Sequence, residues 1–173
     1  LRNILSQKKS VFDLRQVMDE GKILLVNLAK GKIGEDSAAL LGAMLVSRIA
    51  STALSRSSAP ESARRGFYLY LDEFQNFTTL GLATMLSELR KYGIGLILSH
   101  QYLSQIDPQI RDAILGNAGT TVSFRVGSED AEILEREFTP EFRAADLTTL
   151  PNYHIYLKLM IDGVVSRPFS AET

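Results

Sequence analysis

The sequence of 173 residues contains no cysteine. Disulfides, thiolate metal sites and cysteine nucleophiles are excluded together, and the composition fits a reducing compartment. Histidine is nearly as scarce: His100 and His154 are the only two, and neither stands at a metal-ligand spacing. An excess of charge of either sign is also missing. Lys and Arg number 19 against 20 Asp and Glu, a net charge of −1, so no global positive field points to nucleic acid and any such contact must be local. No apolar run approaches the ~18 residues of a membrane span, and no signal peptide opens the chain. The first residue is Leu1 rather than Met, so the sequence is expected to be a piece of a longer chain, although a processed or trimmed start would look the same.

What is present is an ordinary globular composition, 45% hydrophobic and 23% charged. A chain of this length buries roughly 70% of its unfolded surface, so residues 1–173 are expected to form one domain without staples. VFDLRQVMDEG predicts a short helix with Phe12, Val17 and Met18 apolar and Gly21 as its stop. ILLVNL (23–28) is a continuous apolar run, the habit of strands buried on both faces of a parallel sheet. KGKIGED turns the chain into an amphipathic helix over about 37–54, with Leu41, Met44, Leu45, Ile49 and Ala53 at helical spacing. Residues 55–66, SRSSAPESARRG, have the look of a long mobile loop.

FYLYL (67–71) predicts a second buried strand, followed by a helix over about 80–92 carrying Leu82, Met85, Leu86 and Leu89 on one face. IGLILS (94–99) and GTTVSFRV (119–126) predict two more strands, with a helix from Pro108 between them. Ser128 caps a short helix, and a second, headed by Thr139-Pro140, runs towards Pro151. HIYLKLMI then alternates, and Asp162-Gly163 before VVSRPF signals a hairpin. The expected fold is α/β: a mostly parallel sheet with helices on both faces, closed by a C-terminal antiparallel hairpin.

In open parallel sheets ligands bind beyond the carboxyl ends of the strands. Asp72 and Glu73 stand at one such end, Gln101 (after Ser99 and His100) at another, and Arg125 near the end of the fourth strand. Two carboxylates beside a nucleotide can divide one task. One orders Mg²⁺ through a coordinated water, the other orients the water that attacks the γ-phosphate, and a neutral amide senses that phosphate.

The segments GKILLVNLAKGKIGED, FYLYLDEFQNF, SELRKYGIGLILSHQYLSQI, GNAGTTVSFRVGSEDAEILEREF and LPNYHIYLKLMIDGVVSRPFS cover nearly the whole chain. In that order they resemble the C-terminal part of the motor domain in conjugative DNA-transfer ATPases. These are the coupling proteins of type IV secretion systems, within the FtsK/HerA-like, RecA-type family. The resemblance implies that Asp72 is the Walker B aspartate and holds Mg²⁺, that Glu73 is the catalytic glutamate, and that Gln101 is the sensor. It also implies an arginine finger acting in a neighbouring subunit, Arg90 (of Arg90-Lys91) being preferred and Arg125 second. ATP and Mg²⁺ are the implied cofactors. DNA, a hexameric ring of copies, and secretion or relaxosome proteins are the implied partners. The motor domain is expected to be cytoplasmic, with any membrane anchor upstream. Candidate DNA contacts are Lys8, Lys9, Arg56, Arg64 and Arg65, although for each of them, given the balanced charge, ordinary solvated surface is the favoured reading.

One family element is absent. No G-x-x-x-x-G-K-[ST] loop occurs; Gly21-Lys22 and Gly31-Lys32 are both followed by Ile, and KGKIG (30–34) reads as a basic turn before a helix. The strand that carries this loop in RecA-type sheets lies between the sensor strand and GTTVSFRV, so its absence leaves two edges unpaired. A nucleotide-free docking or assembly domain is the rival reading, and a metal-dependent hydrolase built on Asp72, Glu73 and His100 a third. Titration of the purified chain with a fluorescent ATP analogue is expected to give weak or no binding; micromolar, magnesium-dependent binding would contradict this.

Overall fold

An apolar run settles as a strand only where a neighbour offers both a ladder and cover for its faces. In the computed structural model, which describes residues 6–8, 10–77 and 88–173, two of the predicted strands meet that condition together. β1 (Phe67–Leu71) and β2 (Ile94–Leu98) pair in parallel, in register from Phe67↔Ile94 to Leu71↔Leu98. Of the helix expected over 80–92, only residues 88–92 lie within the described residues: 88 and 89 are helical, and a 3-10 turn at Arg90–Tyr92 follows, closed by Gly93 at φ 74°. Residues predicted as one domain cluster into two compact units, divided between His100 and Gln101.

In the first unit, α1 (Leu14–Asp19) is capped by Asp13, whose side chain accepts from the Arg15 amide, and its Val17 and Met18 are buried. Gly21 ends it at φ 69°, a left-handed conformation that favours glycine, with the Arg65 guanidinium packed beside it. A single turn, α2 (Lys30–Ile33), precedes α3 (Glu35–Ser55), with Glu35 and Asp36 favourably placed in the first turn.

The buried stripe of α3 is Ala38, Gly42, Val46, Ile49, Ala50 and Ala53. Only Ile49 and Ala53 of the expected stripe belong to it, and Met44 is 48% exposed. Small residues won the core positions because they let the helix lie close to its neighbours. Ile49, Ala50 and Ala53 join Met18, Leu89 and Ile94 in one core, against which Phe67, Leu69 and Leu96 of the sheet pack. Contrary to the sequence expectation, this helix is long and apolar enough to meet the length and composition of a membrane span, an 18-residue window within Glu35–Ser58 having a mean hydropathy of 1.5. Its buried stripe marks it instead as the core helix of its unit.

Residues 55–66 are not the expected loose loop. Two 3-10 turns, Arg56–Ser58 and Glu61–Ala63, are fastened by three arginines. Arg56 is fully buried: Nη1 donates to Tyr92 O at 2.9 Å, Nη2 to Arg65 O, and Nε lies 3.2 Å from Asp19 Oδ1. Arg64 donates to Ala59 O and Lys91 O and lies over the Tyr92 ring, while Arg65 donates to Glu20 O at 3.1 Å. A guanidinium carries five donors in a fixed fork, which suits it to gathering carbonyls that tight turns leave unpaired. These three candidate DNA contacts are thus engaged within the fold. Lys8 is exposed, and Lys9 lies outside the described residues.

ILLVNL departs from prediction most. Residues 23–28 form no strand, and Ile23 and Leu25 are 88% and 89% exposed. The segment starts beside Arg65, near the beginning of β1, and ends at Lys30, whose Nζ donates to Asn76 Oδ1 at 3.0 Å beyond the end of β1. It therefore runs the length of β1 without joining it. A groove of about 920 Å³ separates the two, lined by Leu24, Leu45, Val46, Leu69 and Phe77 among others. The other side of the β1–β2 sheet explains the failure: Tyr68 and Tyr70 are 66% and 72% exposed, so only one face is covered. A run apolar on both sides gains half its burial from docking there.

The second unit holds α4 (Pro108–Asn117), capped by Asp107, and α5 (Ser128–Phe138), with Gly127 rather than Ser128 at its cap position. The helix predicted from Thr139-Pro140 is reduced to α6 (Ala144–Thr149), where Asp146 accepts from the Arg143 amide. The predicted fourth strand shrinks to β3 (Thr121–Ser123), and it is antiparallel to β4 (His154–Lys158) rather than a member of a parallel sheet. The hairpin forms as expected: β5 (Met160–Ile161) pairs with β6 (Val164–Val165) around Asp162 and Gly163, both at positive φ. β7 (Phe169–Glu172) then returns along β4, giving the order β3-β4-β7. Tyr156 of β4 is buried against Phe138 and stacks on Phe142 at 3.8 Å.

Gly42 offers a direct test of packing in the first unit, since a Cβ there would lie 2.1 Å from the Phe77 ring. Gly42→Ala should lower stability despite a helix-propensity gain of about 1 kcal/mol. In a Phe77→Ala background the same change should raise it, which paired thermal melts will show.

Candidate active site

A strand that ends in two carboxylates must dispose of both side chains and of its last ladder bonds. Ser99, just beyond β2, supplies the partners. Its amide donates to Leu71 O at 3.0 Å, and its carbonyl accepts from the Phe74 amide at 3.1 Å. In an uninterrupted parallel ladder the amide reaching Ser99 O would be that of residue 73. One extra residue is therefore inserted, and it is Glu73, at φ 49° and ψ 46°. The left-handed region costs a non-glycine residue roughly 1–2 kcal/mol.

The surroundings hold this bulge in place. Phe74 is 2% exposed, and its ring stacks on His100 with centroids 5.3 Å apart. Asn76 Nδ2 donates to Glu73 O at 2.8 Å, and Phe77 packs on Gly42 of α3. DEFQNF is thus a tight turn anchored by one aromatic on each side of the glutamine-asparagine pair. Asp72 is exposed; its Oδ1 accepts from Ser99 Oγ at 2.6 Å and from the Glu73 amide at 3.1 Å. The Glu73 carboxylate accepts from Gln75 Nε2 at 2.6 Å. Lys30, donating to Asn76 and to Glu35, brings a cation to the same end of the strand.

The donor set suits one kind of metal. An exposed carboxylate beside a hydroxyl matches Mg²⁺, which keeps most of its waters and takes few protein ligands. Among the described residues no group of three or more His, Cys, Asp or Glu could form a protein cage for a metal. The third reading, a hydrolase using His100 as a ligand, therefore lacks a ligand cluster.

Arg90 occupies the other end of the same sheet. It precedes β2, whereas the acid pair comes after β1, and the strands are parallel. Five residues of strand at about 3.3 Å each separate the two ends by roughly 16 Å. Arg90 is exposed there, out of reach of the acid pair of its own chain.

The second unit contains the other two predicted residues. Gln101 is exposed and precedes the 3-10 turn Leu103–Gln105. Arg125 is exposed beyond β3, with Nη2 donating to Asn152 Oδ1 at 3.2 Å. Two roles escaped the sequence reading. The Ser99 hydroxyl clamps Asp72, and Asp130, in the first turn of α5, is 5% exposed and accepts from the amides of Leu103 and Ser104, both at 2.9 Å.

Residues 66–136, which include the acid pair, match the family model described as the TraM recognition site of TraD and TraG. The resemblance to the coupling proteins of conjugation is borne out. No match is found among curated protein sequences. Among solved structures the chain is similar to the plasmid coupling protein TrwB in complex with a non-hydrolysable GTP analogue. The TM-score is 0.68 and the identity 17%, over 93% of this chain and 43% of that one. The TrwB complex with a non-hydrolysable ATP analogue gives 0.66 and 17%, over 93% and 42%. The genome-packaging NTPase B204 of Sulfolobus turreted icosahedral virus 2, in complex with ATPγS, gives 0.56 and 15%, over 96% and 76%. The α/β, RecA-like fold expected from the coupling-protein resemblance is thus observed, and the chain spans less than half the length of the TrwB chains it matches.

The backbone of Glu73 gives a test independent of activity. Glu73→Gly should melt above Glu73→Ala by the equivalent of about 1 kcal/mol, the reverse of the usual order, because only glycine adopts this conformation freely. If alanine is the more stable, the bulge is not left-handed in solution.

Proposed function

We propose that this chain is the part of an ATP-driven DNA-translocating motor of the coupling-protein type that lies beyond the phosphate-binding loop. One observation carries the reading: the Asp72–Glu73 bulge at the carboxyl end of a parallel strand, clamped from the neighbouring strand by Ser99. Bound ATP with Mg²⁺ supplies the phosphoryl group and its charge neutralisation. The Asp72 carboxylate, oriented by the Ser99 hydroxyl, would hold the ion. Glu73 accepts the proton of the attacking water, its carboxylate steadied by Gln75 and its direction set by the left-handed backbone. Gln101 senses the γ-phosphate.

Arg90 acts in trans on this reading. Its place at the far end of the sheet from the acid pair favours a role at a neighbouring subunit's site. Arg125, already engaged with Asn152, is the weaker candidate. A hexameric ring around DNA, a cytoplasmic motor domain with any anchor upstream, and recognition of a relaxosome protein of the TraM kind belong to the same proposal. The last is supported by the match over 66–136.

The rival, a nucleotide-free assembly domain, draws on the missing G-x-x-x-x-G-K-[ST] loop. The two readings separate on one substitution in the full-length protein. Glu73→Gln should reduce ATP turnover by about a hundredfold or more while nucleotide binding persists. Unchanged turnover would remove Glu73 as the base; no nucleotide binding by the full-length wild type would favour the rival.

A further inference from the structure

The Asp130 carboxylate stands where a charge is costly unless it is well used. At 5% exposure it has lost most of its water, and each oxygen accepts one backbone amide, Leu103 N on Oδ2 and Ser104 N on Oδ1. Charge-assisted bonds of this kind are about twice as strong as neutral ones. Asp130 also lies in the first turn of α5, where the helix dipole favours an anion. A carboxylate there has free helix amides close by, yet its two bonds go to a different segment. That segment is the 3-10 turn that begins two residues after Gln101. Leu103 and Ile106, buried at 3% and 4%, flank the same turn as apolar pegs.

We propose that Asp130 is a positioning residue for Gln101: its two-oxygen grip on the Leu103 and Ser104 amides fixes the turn from which the glutamine is presented. The proposal rests on the reading of Gln101 as the γ-phosphate sensor. The apolar pegs hold the segment to the unit, but apolar contacts are non-directional. Two parallel hydrogen bonds to consecutive amides set the orientation of the peptide planes as well. With only Tyr102 between Gln101 and the gripped amides, a tilt of the turn carries directly into the glutamine side chain. A misplacement of about 1 Å at a reacting group lowers turnover by roughly a hundredfold.

Asparagine at position 130 keeps one acceptor oxygen and turns an N–H₂ group towards the second amide, so the grip becomes single. The experiment is a double-mutant cycle in the full-length protein, with ATPase kinetics read well below each variant's melting temperature. Asp130→Asn alone should lower kcat by about tenfold or more and leave KM for ATP within about twofold. In a Gln101→Ala background it should lower kcat no further. An equal fold-loss in both backgrounds overturns the proposal, because a merely structural role multiplies through. Gln101→Ala with normal turnover overturns it by a different route, since the sensor reading itself has then failed. If Asp130→Asn does not fold, Asp130→Glu retains the charge, shifts the grip by one methylene, and is read by the same cycle.

Discussion

The parallel ladder between Phe67–Leu71 and Ile94–Leu98 is the constraint that sets the geometry of the first unit. Because the two strands run the same way, residues just after β1 and residues just before β2 must lie at opposite ends. The acid pair therefore occupies one end of the sheet and Arg90 the other. The ladder also fixes Ser99 beside the acids, where its main chain spans the inserted Glu73 and its hydroxyl takes Asp72. On the proposed reading this polarity has an assembly counterpart. A subunit with acids at one end and a cation at the other is suited to head-to-tail contact, the kind of interface that closes into rings.

Charge in this chain serves structure before it serves partners. Arg56, Arg64 and Arg65 sit in a stretch that reads as a basic, mobile tether, yet all three hold carbonyl groups of their own unit. Asp130 does the same with amides in the second unit. Arg56, Arg64 and Arg65 are thereby committed to the fold of the first unit.

The sequence made the elements and the acid pair legible, for physical reasons that can be named. β1 and β2 are continuous apolar runs, α3 has the right period, and Asp162-Gly163 adopts the positive φ values a two-residue hairpin demands. The partners of each strand were less legible. ILLVNL has the composition of a buried strand, but burial depends on what covers the second face, which is a property of the assembled sheet. GTTVSFRV pairs antiparallel with β4 because the neighbour available to it is the tail of the chain. In the site, the residue types were readable, whereas the insertion of Glu73 was not. A bulge is a mismatch between two strands, and neither strand alone records it.

The gap between β1 and residues 23–28 has a consequence in terms of concentration. Among the described residues β1 has one partner, so its outer edge carries a row of backbone donors and acceptors open to any extended chain of matching length. Within one molecule the apolar run 23–28 already lies along that edge, and its docking would not depend on how much protein is present. Between molecules the same run, exposed at Ile23 and Leu25, is an equally suitable strand for a neighbour's edge. The purified chain thus contains two competing ways of completing one sheet, and dilution favours the one that keeps it a monomer.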